Sequence, residues 1–524
     1  MPARELIAAW MLAPFIGASI HAQPAAAVSY VYLRGDNDTL GVETITQRAT
    51  SVDGLLTMKG QGRVEWSQAH QHGVPGALTV RRFAVGAAAS ALPRQSHTYE
   101  VIGDSAYVDL GTTRRRAIVS QTGARPLVIE SAVQAAVLVS YARTRQLATI
   151  DVFLTESART LPATVAEVRG GFMLMVGNLE SSVQWSPDGL PKFVALTSQN
   201  ARVVRTAATT SLASDARAPL RARYDPPSAA PYSARHIRIP TGRGYELAAT
   251  LTRPDGVAKP AVVVTISGSG PQDRDGQGAL VRGYGAFREI ADTLARRGIA
   301  VLRWDDRGVG ESGGVESAAT GTSVDVADDV RSIVRWLRTR DDVDGARIAL
   351  AGHSEGGLIA PMVAATDSTL RGIALLAGPA YNGRRILLLQ RRLGIEALRL
   401  PKHQTDSLLA LVPSQLDSYT RRGPWANYFM AYDPIPAARK LRMPVLVLQG
   451  LTDTQVTAEQ ADSLVLAIRS NGNTNVTLRT FPATNHLFVN DSVGAVSGYT
   501  TLKNTKVRRD VLGALADWAA RVLK

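Results

Sequence analysis

The chain has 524 residues, 59 Lys+Arg against 45 Asp+Glu, a formal net charge of +14 and no cysteine. An apolar content of 45% with 20% charged residues excludes a disordered or collagen-like chain, and the length calls for two or three domains. The missing cysteine excludes a disulfide scaffold, a cysteine-based zinc site, an iron–sulfur cluster and a thiol nucleophile.

At the N-terminus, Met1–Glu5 precede an apolar run from Leu6 to Ile20, and the small residues Ala22, Ala25, Ala26 and Ala27 follow. This order of charged start, apolar middle and small-residue cleavage zone predicts a signal peptide over 1–27 and a periplasmic or secreted mature protein. The run contains Pro14 and Gly17 and is shorter than the roughly 20 apolar residues that span a bilayer, so a short membrane anchor is the weaker alternative.

Residues 28–220 read as a mostly antiparallel β domain. Leu55–Trp66, Ala77–Val85, His97–Leu110 and Val183–Leu196 alternate apolar and polar residues, punctuated by the turn signals Gly35-Asp36-Asn37, Gly103-Asp104 and Ser186-Pro187-Asp188-Gly189. Ser131–Arg145 alone is apolar at helical spacing, which predicts a sheet or half-barrel around one helix. His70-x-His72 has no third ligand nearby in sequence, and no metal site is expected. A Pro- and Ala-rich linker is predicted over 221–234.

From 235 to 524 the rhythm changes. Ala261–Ile266, Ala300–Trp304, Arg347–Ala351, Gly372–Leu376, Val445–Leu448 and Val476–Phe481 are short, nearly continuous apolar runs, the pattern of parallel strands buried on both faces. Helical spacing fills the intervals at Tyr284–Arg297, Val326–Arg340, Gly357–Ala365, Thr457–Ser470 and Lys506–Lys524. The predicted fold class is α/β, a parallel sheet covered by helices on both faces.

The chemistry gathers at strand ends. Gly352-His353-Ser354-Glu355-Gly356 follows a strand at once and opens a helix, the strand–turn–helix setting of a nucleophile elbow. Serine needs a base, and in this arrangement the acid and then the histidine follow it in the chain. Asp453 comes just after the run Val445–Leu448, and His486, the only histidine beyond it, comes after Val476–Phe481. Asp462 and Asp491 lie farther from a strand end and are weaker candidates for the acid. The oxyanion of an acyl-transfer intermediate needs preset donors. The amide of Glu355 is one, and Ser267-Gly268-Ser269-Gly270 offers the second, Ser269 first and Gly268 next.

On these motifs, together with Asp305-Asp306-Arg307-Gly308-Val309-Gly310-Glu311-Ser312 and Asn485-His486-Leu487-Phe488, residues from about 235 to 524 resemble the α/β-hydrolase superfamily. They look most like bacterial carboxylesterases of its dienelactone-hydrolase and acyl-peptidase-like branch. The resemblance implies an α/β-hydrolase fold and hydrolysis of carboxylic esters of small molecules, without cofactor or metal, by Ser354, Asp453 and His486. It also implies scaffolding for Asp305–Ser312, with Arg307 tying loops together, and a lid over the serine at about 378–441. Arg384–Leu398 and Thr405–Tyr419 have helical spacing there, and Tyr381, Trp425, Tyr428 and Phe429 are candidates to line the acyl pocket. Dienelactone hydrolases proper use a cysteine, which this chain lacks.

Two enzyme alternatives share the same residues, an acylaminoacyl-peptidase-like exopeptidase and a thioesterase. A third reading, of another class, is an envelope ligand-binding protein with an inert hydrolase domain. The basic charge is diffuse: with 8 lysines, 51 of the 59 basic residues are arginine, and no basic stripe with interleaved aromatics stands out. Nucleic acid is therefore not an expected partner, and the open role for the charge is weak attraction to anionic envelope surfaces.

Overall fold

The computed structural model describes residues 27–524 apart from 35–37, 59–61, 72–73, 84–94, 103–104, 110–113, 119–123, 129–130, 155–158, 169–170, 177–178, 188–189, 197–200, 207–223, 277–280, 282 and 420–422. Nearly all of the expected signal peptide, most of the turn signals of the β domain, His72 and the start of the linker lie outside the described residues.

Between Ala27 and Thr206 the described residues form one 15-stranded sheet. All neighbouring strands run antiparallel except Arg125–Leu127, which pairs in parallel with Thr149–Leu154. Three readings of single strands need correction. Leu55–Trp66 falls on the paired strands Ser51–Met58 and Gly62–Gln71, and His97–Leu110 falls on Gln95–Ile102 and Ser105–Asp109. Val183–Leu196 falls on the paired strands Leu179–Trp185 and Pro191–Leu196. Both arms of a hairpin keep the period of two, so alternation does not show where the chain folds back.

The sheet rolls up around the helix Ala132–Thr144. Tyr99 and Phe153 belong to strands near opposite ends of the sheet order, yet their ring centroids are 4.8 Å apart. The helix is apolar nearly all round because the concave sheet encloses it. A polar cluster pins its start. The buried Glu43 carboxylate accepts hydrogen bonds from Tyr32 Oη (2.6 Å), Trp66 Nε1 (2.9 Å) and Ser131 Oγ (2.6 Å), and Ser131 also caps the helix.

The second sheet has eight strands: β1 (Tyr232–Pro240), β2 (Glu246–Pro254), β3 (Val262–Ile266), β4 (Ala300–Trp304), β5 (Ile348–His353), β6 (Gly372–Leu376), β7 (Val445–Gly450) and β8 (Val476–Phe481). Their order is β1-β2-β4-β3-β5-β6-β7-β8. From β4 to β8 neighbours are parallel, while β1 and β2 are antiparallel additions at one edge. Tyr232–Ala234, which composition assigns to the linker, begin β1.

Each face of this sheet carries its own core. Helices Ser323–Arg338, Glu355–Ala364 and Glu459–Arg469 bury Val330, Leu358 and Leu464 on one side. Helices Ala286–Ala295 and Arg509–Val522 bury Phe287 and Trp518 on the other. Between β6 and β7 the chain leaves the sheet to build four helices, Gly383–Ala397, Lys402–Tyr419, Pro424–Ala431 and Ile435–Arg439. This is the insert expected at about 378–441.

Candidate active site

Ser354 stands between β5 and the helix Glu355–Ala364, with φ 55° and ψ −120°. An L-residue adopts this backbone only when its surroundings enforce it. Here the two glycines allow the turn: a Cβ at Gly352 would strike the Gly356 carbonyl, and one at Gly356 would strike the carbonyls of Ile266 and Ser267. The Ser354 amide donates to the Leu376 carbonyl (2.9 Å), tying the elbow to β6. Glu355 follows as the first helical residue, where backbone N–H groups have no partner within the helix.

The acid and the histidine meet. Buried His486 places Nδ1 2.8 Å from Oδ2 of buried Asp453. Because the carboxylate accepts, Nδ1 carries the proton and Nε2 is left with its lone pair. Asp453 is held on every side: Oδ1 accepts from the amides of Gln455 (2.8 Å) and Val456 (2.9 Å), and Oδ2 also accepts from Gln449 Nε2 (3.3 Å). The histidine loop is shaped by Asn485, whose Oδ1 accepts from the Leu487 amide (3.0 Å) and whose Nδ2 donates to Asp491 (3.2 Å). Asp491 thus braces this loop, while Asp462 is exposed in the first turn of the helix Glu459–Arg469.

His353, the variable residue of the elbow motif, supports the site in a way the sequence reading missed. Its Nε2 lies 2.8 Å from the His486 carbonyl, so Nε2–H donates, and the two rings sit 4.8 Å apart. Burial, helped by the neighbouring imidazole of His486, pushes the His353 pKa down to about 4, so the ring is neutral at physiological pH.

The loop after β3 folds over the serine. A Cβ on Gly268 would lie 3.0 Å from the Ser354 Cβ, a tight approach that glycine avoids, and Ser269 is exposed in the same loop. Asp306 braces this loop, with Oδ1 accepting from Ser267 Oγ (2.7 Å) and Oδ2 from the Gln272 amide (2.9 Å). Burial pushes the Asp306 carboxyl up to about 8. Beside it Arg274 makes a two-pronged pair with Asp305 (2.9 and 2.6 Å), and Arg307 reaches Asp329 (2.6 Å) on the helix Ser323–Arg338.

The insert reaches the elbow through Trp425. Its Nε1 donates to Glu355 Oε1 (2.9 Å), which also accepts from Ser323 Oγ (2.6 Å). Phe429 stacks on Trp425 (5.1 Å, 10° between planes) and packs into the core at Gly383, and Tyr428 stacks on Tyr432 at 5.3 Å. The Arg385 guanidinium covers the Tyr381 ring at 3.4 Å. Of the four aromatics expected to line a pocket, Phe429 is buried, and Tyr381, Trp425 and Tyr428 are half-buried.

Among the described residues no group of three or more His, Cys, Asp or Glu could hold a metal ion.

Sheet order and the strand–turn–helix elbow at Ser354 give the C-terminal unit an α/β-hydrolase fold. Its similarities to known proteins are more particular. Residues 286–504 match the Prolyl oligopeptidase family. Esterase EstD of Thermotoga maritima is 28% identical over 281 residues, 52% of this chain and 65% of the relative, so the chain spans less than two thirds of that relative's length. Among solved structures, an esterase of Pyrococcus furiosus covers 56% of this chain and 92% of its own at 18% identity and TM-score 0.39. Est1E of Butyrivibrio proteoclasticus covers 55% of this chain and 98% of its own at 19% identity and TM-score 0.36.

Proposed function

We propose that the protein is a serine hydrolase that cleaves carboxylic esters of small molecules through an acyl-enzyme on Ser354. The observation that carries this reading is the 2.8 Å bond from His486 Nδ1 to Asp453, which fixes the imidazole with Nε2 as its free base, in loops at the sheet edge where Ser354 stands. Ser354 Oγ attacks the ester carbonyl as His486 Nε2 takes its proton. Asp453 stabilises the imidazolium, and the amides of Glu355 and of Ser269 or Gly268 stabilise the oxyanion. His486 then protonates the leaving alcohol, and water, deprotonated by the same nitrogen, releases the acid. The name of the Thermotoga relative favours ester over amide substrates.

The match to the Prolyl oligopeptidase family favours a second reading, an exopeptidase using the same three residues. A panel of p-nitrophenyl esters of increasing chain length, run beside aminoacyl anilides, separates the two. Ester turnover with no anilide turnover supports the first reading, and the reverse supports the second. An envelope location is part of the proposal and rests on the N-terminal segment alone.

A further inference from the structure

We infer that the N-terminal sheet clamps the helical insert through the paired strands Gly171–Val176 and Leu179–Trp185, and that this clamp sets how far the insert opens above Ser354. The inference rests on the hydrolase reading and assigns the N-terminal domain a part in choosing substrates by size.

The insert has a small apolar cluster of its own. Ile395, Val412, Leu416 and Met430 form it, apart from the two cores on the sheet faces. Leu387, Leu408, Leu409 and Tyr419 of the insert pack against it, while Ile386 and Phe429 tie the first and third helices into the core of the second sheet. Met175, from the N-terminal sheet, packs against this cluster. Met175 stands directly opposite Glu180 in the antiparallel pair Gly171–Val176 with Leu179–Trp185, so both side chains leave the same face of the sheet. Their neighbour Leu174 points the other way, into the core of the β domain.

Arg391, on the insert helix Gly383–Ala397, meets this face. Its Nη1 lies 3.8 Å from Met175 Sδ. Burial raises the pKa of Glu180, and Arg391 is the cation that draws it back down.

The same helix reaches the catalytic loops. Gln390, next to Arg391, donates from Nε2 to the Gln455 carbonyl (3.0 Å), and the Gln455 amide donates to Asp453 (2.8 Å). At its other end the insert is tied to the elbow by Trp425 and Glu355. The insert thus bridges the N-terminal sheet and two of the loops that carry the triad. A shift at Met175 and Glu180 is passed to the entrance by rigid helices, without touching the reacting atoms.

The test uses the full mature chain and the variants Glu180→Arg, Arg391→Glu and their double, with Met175→Ala as a milder probe. Two readouts are taken: chymotryptic cleavage between residues 383 and 431, and kinetics on p-nitrophenyl butyrate and decanoate. Each single charge reversal is expected to speed cleavage about 5-fold and to raise the decanoate-to-butyrate ratio of kcat/KM by a similar factor, mostly through KM, with the double variant restoring both. Unchanged cleavage and ratio in the singles overturn the clamp. So does an equal loss on both esters through kcat, which marks general damage. Melting temperatures identify a variant that fails to fold, in which case Met175→Ala decides on the same two readouts. If the native chain turns over neither ester, the hydrolase reading fails, while the cleavage assay still decides the clamp.

Discussion

Ser354 keeps its positive φ because a serine must stand where the strand turns into the helix, a conformation that costs a non-glycine residue about 1–3 kcal/mol. Ser354→Ala should lower p-nitrophenyl butyrate turnover by about 10⁶-fold, and Asp453→Asn by about 10⁴-fold, because the amide reverses the histidine tautomer. Asp462→Asn, at an exposed helix position, should stay within about two-fold of the native rate, and steady-state kinetics on the three variants check the ranking. His353 gives a prediction in pH. Its pKa is about 4 when folded against an ordinary 6.5, so between these values the unfolded chain binds the extra proton. Stability should therefore rise with pH across that window, by up to about 3 kcal/mol from this group, and be lost as pH falls through it. In His353→Gln the drop in melting temperature between pH 7 and pH 4.5 should shrink; an unchanged drop would show that His353 does not titrate in this way. The candidate triad residues are legible in the sequence because Ser354 and Asp453 each follow a continuous apolar run and His486 follows the strand-like segment Val476–Phe481. His353 and the Glu355 side chain are not, because their partners, the His486 carbonyl and Trp425, come close only once the loops are stacked.

At the scale of elements, the elbow and the insert respond differently to the same substitution. Gly356→Ala sets a methyl group against two carbonyls and should cost several kcal/mol or prevent folding. Gly394 lies in the helix Gly383–Ala397 with open space around it, so Gly394→Ala should stabilise the insert by about 0.5–1 kcal/mol. Thermal melts of the two variants should move in opposite directions. The central strands of the second sheet are readable because burial on both faces makes them almost continuously apolar, whereas β8 at the edge is partly exposed and carries Thr477, Arg479 and Thr480. The antiparallel strands β1 and β2 escape that signature: β1, at the edge, is largely exposed and its first residues look like the Pro-rich stretch before them, while β2 is buried but interrupts its apolar residues with Thr250, Thr252 and Arg253. The insert helices show their 3.6-residue spacing, but which aromatic packs and which bonds to Glu355 depends on how the helices lie over the elbow, which no local pattern encodes.

The whole molecule joins two sheets of different logic, a rolled antiparallel one around a single helix and a parallel one with helices on both faces. The first was legible only as a class, since alternation and one apolar helix announce a sheet around a helix but not its hairpins or the surface it shares with the insert. The +14 charge of the whole chain, spread over arginines, predicts weak binding to vesicles rich in anionic lipid that disappears as salt rises from about 50 to about 300 mM, checked by co-sedimentation. The measurement that tests the central claim most directly is labelling of the native protein with a serine-directed fluorophosphonate, followed by peptide mass spectrometry. The account predicts one adduct, on the peptide containing Ser354, lost in Ser354→Ala and slowed in variants of His486. An unlabelled native protein, or an adduct on another serine that survives Ser354→Ala, would contradict it.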